Sequence, residues 1–212
     1  MQLSLLGGGR PRVDRDFRGV RRIWLDSESW LDHRPSWLSG HAQVFDALVG
    51  GLNWKTKRRL MWDNLVDVPR MMASVPGDGP EPTVFGAIRE ALGTRYQARF
   101  DRVHLNYYRD GRDSVASHRD RMISDRSDVV VAIVSFGEPR RFVVRPHGGG
   151  KLAARLNLGW GDLLVMGGAV QRDWEHGVPK CAHAGPRISA MFRRVQDRLT
   201  DPKSAGEQAR RG

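Results

Sequence analysis

Two histidines, one carboxylate and two arginines stand in this sequence at spacings that could do chemistry. His118-x-Asp120 closes the stretch Leu105–Asp120, LNYYRDGRDSVASHRD, and His176 follows 56 residues after Asp120. Two imidazoles and one carboxylate leave three adjacent open positions on an octahedral Fe(II), and open positions are what dioxygen chemistry requires. An HxD pair alone is a weak signal, because so short a pattern recurs by chance and needs structural context. Here the context is favourable: His118 ends a candidate strand, the Asp two residues on can reach the same metal, and His176 lies on a later candidate strand.

The arginines suit a different ligand. Arg187 and Arg193 lie six residues apart in RISAMFR. Six is even, so on a strand both arginines and Ser189 share one face, while Ile188, Ala190 and Phe192 share the other. A guanidinium grips a carboxylate bidentately. Two arginines on an inward face would be costly without an anion to match them. Asn106 and Tyr108 have the same even spacing on an earlier strand and can complete an anion site by hydrogen bonding. Metal set and anion set together suit one iron and one small dicarboxylate. Of the other histidines, His104 shares parity with Asn106 and Tyr108 and can face the pocket. His183, beside an Ala-Gly-Pro turn, ranks below His176 as a ligand. His33 and His41 precede the barrel, and His147 adjoins a Gly-rich turn.

These residues need strands to hold them. From about Phe100 the hydrophobic period changes from 3.6 to 2. Eight strands are predicted: Val103–Tyr108, Ser114–His118, Asp128–Phe136, Arg140–Pro146, Leu152–Leu158, Asp162–Met166, Trp174–Val178 and Arg187–Arg194, most of them separated by Gly, Pro or Asp turns. Before them, Gln43–Leu52 carries a helical stripe ended by Gly50-Gly51. A second helix should start with Thr83 as its N-cap and stop at Gly93. Met1–Arg15 reads as an extended arm, Trp54–Arg59 (WKTKRR) as a basic loop or phosphate contact, and Val68-Pro69-Arg70 with Val75–Pro82 as a connecting loop. The fold class expected is α+β, mainly β, a jelly roll backed by helices. Three segments follow: an N-terminal helical region over 1–100 packed on the core, a jelly-roll core over 101–196, and a mobile basic tail over 197–212.

Composition bounds the rest. With 212 residues, one domain is the default. No run of 18 apolar residues exists, and MQLSLLGGGRPRV lacks the parts of a signal peptide. Cys181 is the single cysteine, so no internal disulfide forms and a reducing cytoplasm is expected. The formal net charge is +11, which favours a polyanionic partner through counterion release. The bland explanation is a GC-rich genome, since 30 of the 35 basic residues are arginine. Five of seven tryptophans precede residue 101; aromatics can stack on bases, but each is better read as core cover. A monomer is the default assembly.

The stretches LNYYRDGRDSVASHRD, VVVAIVSFGEPRRFVVRP, GDLLVMGGAVQRDWEHGVPK and PRISAMFRR resemble the AlkB family of Fe(II)- and 2-oxoglutarate-dependent nucleic-acid dioxygenases. The likeness runs from about Val103 to Arg194 and is greatest to the DNA-repair members. Val68-Pro69-Arg70 resembles the VPR before the barrel, where such members form a nucleotide-recognition lid. The resemblance implies a double-stranded β-helix with that lid supplied by the N-terminal region. It implies iron on His118, Asp120 and His176, which would be the catalytic centre. Arg187 would take the distal carboxylate of 2-oxoglutarate with Tyr108 and Ser189, and Arg193 and Asn106 would lie near the iron-proximal carboxylate. Dioxygen would complete the set, and N-methyl groups on flipped-out bases of single- or double-stranded DNA, and of RNA, would leave as formaldehyde, with succinate and CO2 released. Where repair members often carry an acid just after the HxD, this chain has Arg121-Met122, with Asp125 the nearest acid, so lesion choice should be decided there. Ala190 replaces a commoner Thr but points to the other face. Two other outcomes stay open: a 2-oxoglutarate oxygenase for a substrate such as a protein side chain, and a silent nucleic-acid-binding module.

Overall fold

A computed structural model describes residues 9–61, 64–75, 81–120 and 129–194. The chain runs through β1 (Arg12–Val13), β2 (Arg21–Trp24), β3 (Ser29–Arg34), β4 (Leu38–Ser39), α1 (His41–Gly51), β5 (Lys55–Met61), β6 (Asn64–Val75) and α2 (Thr83–Tyr96). It continues through β7 (Arg102–Tyr108), β8 (Val115–His118), β9 (Val131–Gly137), β10 (Arg140–Pro146), β11 (Ala154–Leu158), β12 (Leu163–Gly168), the single turn α3 (Val170–Asp173), β13 (Trp174–Val178) and β14 (Arg187–Arg193). Eight strands form a major sheet in the order β2-β3-β12-β9-β14-β7-β6-β5. Four form a minor sheet, β11-β10-β13-β8, and β1 pairs with β4. This is the jelly roll, with two antiparallel sheets face to face and α1 and α2 behind the larger one.

Strand alternation builds two cores from one sheet. On β14 the even residues Ile188, Ala190 and Phe192 join a core under the helices, with Val44 and Leu48 of α1 and Phe85, Ile88 and Leu92 of α2. Phe192 meets Phe85 edge-on at 5.3 Å. Ala190 therefore faces helices and no pocket. The odd residues of β14 face the minor sheet, where Met191 packs with Tyr108, Ile133, Phe142 and Val144. Full burial of a side chain such as Ile88 contributes about 1.5–3 kcal/mol, so the helices are anchored by area more than by caps.

The eight strands expected after residue 100 are all present, with ends shifted by three residues or fewer. The N-terminal hundred residues differ from expectation. They hold two helices, and also β2 and β3 at one edge of the major sheet and β6 and β5 at the other. Arg12–Val13, read as part of a free arm, pairs with Leu38–Ser39. WKTKRR, read as a loop, lies largely in β5, and Val68-Pro69-Arg70 lies within β6. Proline hid that strand from the sequence. Pro69 is tolerated because β5–β6 pairing slips between Thr56 and Arg58, and because β7 pairs with β6 only over Met71–Val75.

The second helix also differs at both ends. Thr83 is its first residue, and the capping position is Pro82 with no side-chain cap bond. The first turn is closed by backbone instead, the Phe85 amide donating to the Pro82 carbonyl at 2.8 Å. Gly93 does not stop the helix, which runs on to Tyr96. Tyr96 stacks on Trp30 at 5.9 Å and donates to Asp32 at 3.1 Å, and that packing outweighs the glycine. Trp37 and Trp54 pack inside as well, whereas Trp24 is 58% exposed. The tail 197–212 lies outside the described residues.

Candidate metal and co-substrate site

The metal set is assembled across two strands of the minor sheet. β8 and β13 are antiparallel, with His118 directly opposite His176. Their rings lie 4.6 Å apart between centroids. Asp120, two residues past His118, places a carboxylate oxygen 3.6 Å from His118 Nε2. Among the described residues this is the cluster fit for a metal, its three ligand atoms all within 4.8 Å of one another. Gly177 permits the approach: a Cβ there would sit 2.8 Å from the Val115 carbonyl. The register slips at the same place, as bulges beside functional sites do.

Charges at this end are set to leave lone pairs free. Burial would raise Asp120, but His118, His176 and Arg193 outweigh it and hold the carboxyl down at about 2. Burial, reinforced by the charge of His118, pushes His176 down to about 4, so it is a neutral imidazole at pH 7. His118 goes the other way: burial opposes its charge, but Asp120 and the Ala116 carbonyl raise its pKa. Its Nδ1 lies 2.9 Å from that carbonyl, which fixes the ring. Phe142 covers the buried face of His176 at 5.6 Å, nearly parallel.

The anion set lies on the major sheet facing the metal set. Arg187 pairs in register with Tyr108, and Ser189 with Asn106. Arg187 is 1% exposed. Its Nε donates to the Leu158 carbonyl at 2.9 Å and one terminal nitrogen to Ser135 Oγ at 2.7 Å. The other terminal nitrogen, Nη1, is buried with no hydrogen-bond partner among the described residues. Burial drives the Arg187 pKa down to about 10. An orphaned donor on an enclosed guanidinium fits a carboxylate ligand. Asn106 accepts from Arg70 Nε at 2.9 Å. Arg193 lies at the metal end, where its charge helps to lower both Asp120 and His104. His104 does face inward, with Nδ1 2.8 Å from Ser74 Oγ and burial holding it at about 4.

Three contributors escaped the sequence reading. Ser135 on β9 and the Leu158 carbonyl orient Arg187, and Arg70 of the VPR reaches Asn106 from β6. Ser135 is legible only once β9 is known to neighbour β14, and a carbonyl carries no side-chain signal. His183 is exposed, away from the cluster. Arg121, Met122 and Asp125 lie outside the described residues.

Against known proteins, residues 42–210 match the model of the 2OG-Fe(II) oxygenase superfamily. The chain belongs to that superfamily. Within it, the chain is an AlkB-type member. It is similar to the human alpha-ketoglutarate-dependent dioxygenase alkB homolog 3, 36% identical over 184 residues, covering 76% of this chain and 63% of that protein. The Rattus norvegicus counterpart is 38% identical, with 76% and 61% covered. The human DNA oxidative demethylase ALKBH2 is 32% identical over 126 residues, covering 55% and 48%. The chain thus spans less than two thirds of these relatives' length. The structure of OsALKBH1 superposes with a TM-score of 0.58 at 15% identity, covering 82% of this chain and all of that one, which shows the shared fold. The cofactors of this 2OG-Fe(II) oxygenase are Fe(II), 2-oxoglutarate and dioxygen.

Proposed function

We propose that this chain is an Fe(II)- and 2-oxoglutarate-dependent dioxygenase that removes N-linked alkyl groups from bases in DNA, with RNA as a second substrate. The observation that carries the oxygenase reading is the pairing of two sites on facing sheets. A His-Asp-His cluster stands at one end, and a buried arginine with an unfilled donor at the other. The nucleic-acid reading is supported by the likeness to the DNA oxidative demethylase ALKBH2 and by the net charge of +11.

In this reading His118, Asp120 and His176 hold the iron; Asp120 and His176 are already in their lone-pair-bearing forms at neutral pH, and metal binding favours the neutral form of His118. Arg187 grips the distal carboxylate of 2-oxoglutarate, its guanidinium oriented by Ser135 and the Leu158 carbonyl. Tyr108 and Ser189 line that grip, and Asn106, steadied by Arg70, lies with Arg193 near the proximal carboxylate. Together, iron and co-substrate supply the activation of dioxygen, with 2-oxoglutarate oxidised to succinate and CO2 and an N-methyl group to a hydroxymethyl that leaves as formaldehyde. The chain itself orients both ligands and excludes water behind the Phe142 and Tyr108 walls. Base extrusion brings the substrate to the cavity, and the β5–β6 hairpin, with KTKRR in its sequence, is the lid we assign to hold it. The free thiol of Cys181 suits a reducing compartment, and we place the activity in the cytoplasm.

The test incubates the protein with Fe(II), 2-oxoglutarate and single-stranded DNA carrying 1-methyladenine, and measures succinate and base repair by mass spectrometry. Repair in the wild type and its loss in His118→Ala are expected. Succinate without repair of DNA or RNA would point to another substrate, such as a protein side chain. Tight DNA binding without turnover would leave a silent binding module.

A further inference from the structure

The pocket contains a second buried cation that none of these roles uses. Arg140 opens β10 and is 2% exposed. It shares its face of the strand with Phe142 and Val144, both in the core between the sheets. Phe142 lies against His176, so this face runs from the metal end to the distal end, where Arg140 sits. Nη1 of Arg140 donates to the Asp110 carbonyl at 2.8 Å. Its Nη2 donates to the carbonyls of Asp113 at 2.8 Å and Pro179 at 2.9 Å. These bonds tie the loop after β7 and the loop after β13 to β10. All three acceptors are neutral, so they satisfy hydrogen bonding without cancelling charge.

The same guanidinium lies 5.6 Å from the Tyr108 ring centroid, and that of Arg187 lies 5.4 Å from the same ring. Tyr108 is thus flanked by two buried cations. Each is attracted to the ring's π-cloud, and they repel one another across it. That repulsion contributes to the lowered pKa of Arg187, after burial itself. Asp162 offsets part of this charge without a hydrogen bond to either guanidinium, and two enclosed cations against one such carboxylate leave positive charge that an arriving carboxylate relieves.

We propose that Arg140 is a positioning residue of the co-substrate site, acting through Tyr108 to fix the ring and to raise the positive potential where the distal carboxylate binds. It does not touch that carboxylate. The inference rests on the oxygenase reading and adds a residue to it. It explains why a full positive charge is retained where three carbonyls could have been met by an uncharged amide and water.

Calorimetry of 2-oxoglutarate binding to the Fe(II)-loaded protein, without dioxygen, tests it apart from turnover. Arg140→Gln keeps donors for the carbonyls and removes the charge; it should weaken binding about ten-fold, while Arg140→Lys, which keeps the charge, should stay within about three-fold of wild type. Fe(II) affinity should be unchanged in both. In a Tyr108→Leu background, Arg140→Gln should add less than about two-fold, because the ring through which it acts is gone. Equal weakening in the Gln and Lys variants, tracking equal losses of thermal stability, would reduce Arg140 to a scaffold and overturn the proposal, as would wild-type affinity in Arg140→Gln. If Arg140→Gln does not fold, Tyr108→Leu alone decides: undiminished affinity there overturns it. A wild type that binds no 2-oxoglutarate would instead sink the oxygenase reading itself.

Discussion

At one end of the pocket His118, Asp120 and His176 balance one another: a carboxylate held ionised, one imidazole held neutral and one raised by its acid neighbour. At the other end Arg187 is enclosed with a serine, a carbonyl and a second arginine, and no carboxylate among its hydrogen bonds. The first end is a set of mutually compensating groups that a cation can enter with little rearrangement of charge. The second is a buried cation that the Asp162 carboxylate offsets only from a distance, with no carboxylate hydrogen-bonded to it. A buried ion with no partner costs stability, whereas a compensated cluster need not. The two ends should therefore respond oppositely when their groups are removed, although both removals abolish catalysis.

The largest effect falls at the metal end. Asp120→Ala should lower succinate formation by more than about a hundred-fold by removing an iron ligand, with only a small change in metal-free melting temperature. A large fall in that melting temperature would mean the triad is also a structural knot. Next comes Arg187→Met. It should weaken 2-oxoglutarate binding about a hundred-fold, yet raise the stability of the ligand-free protein by about 1–3 kcal/mol, read by urea unfolding. A destabilised Arg187→Met would break the contrast outright.

Alkaline titration sharpens the same point. The folded pKa of Arg187, about 10, lies below its unfolded value, so above about pH 10 the unfolded chain holds more protons. The energetic cost of its charge is fully present below pH 10 and fades as pH rises, while 2-oxoglutarate affinity falls over the same range. Affinity that stays flat to pH 11, followed by calorimetry, would contradict it. Ser135→Ala should have a smaller effect, about ten-fold on 2-oxoglutarate affinity, by leaving one guanidinium nitrogen unanchored. The smallest effect belongs to a pair of imidazoles outside both ends. His33 and His41 are buried with no hydrogen-bond partners on either ring among the described residues, and burial lowers both pKa values. Their folded pKa lies below the unfolded one, so stability should fall as pH drops below about 6.5. His41→Leu should flatten that fall, as seen in melting curves between pH 7 and 5.

The contrast between the ends was partly legible in the sequence. HxD…H and the parity of Arg187, Ser189 and Arg193 follow from side-chain type and a period of two, and the structure clusters the first three and sets Arg187 and Ser189 in register with Tyr108 and Asn106. Parity also separated Ile188, Ala190 and Phe192 from the pocket. What sequence could not show was the environment of each group. That Arg187 rests on Ser135 and a carbonyl depends on which strands are neighbours, which periodicity does not state. The strands before residue 100 were missed for a related reason. RRIW and KTKRRLM are too polar to read as buried strands, because they occupy sheet edges, and Pro69 in β6 argued against a strand until a slipped register made room for it. Arg140 was invisible as well: nothing in PRRF separates an enclosed arginine from the exposed Arg141 beside it.

Those two edge strands have a consequence beyond the pocket. Among the described residues, β2 and β5 terminate the major sheet on either side, each presenting backbone groups with no neighbouring strand in the sheet. Such edges invite a second chain to add itself, and lysine and arginine are among the residues that discourage it. RRIW and KTKRRLM carry six basic residues and no acidic one. Two copies meeting edge to edge therefore repel. High salt or a polyanion too short to fill the cavity would screen that repulsion, so self-association should appear under the conditions that mask charge, and added arginine-to-glutamine changes on either edge should bring it on sooner.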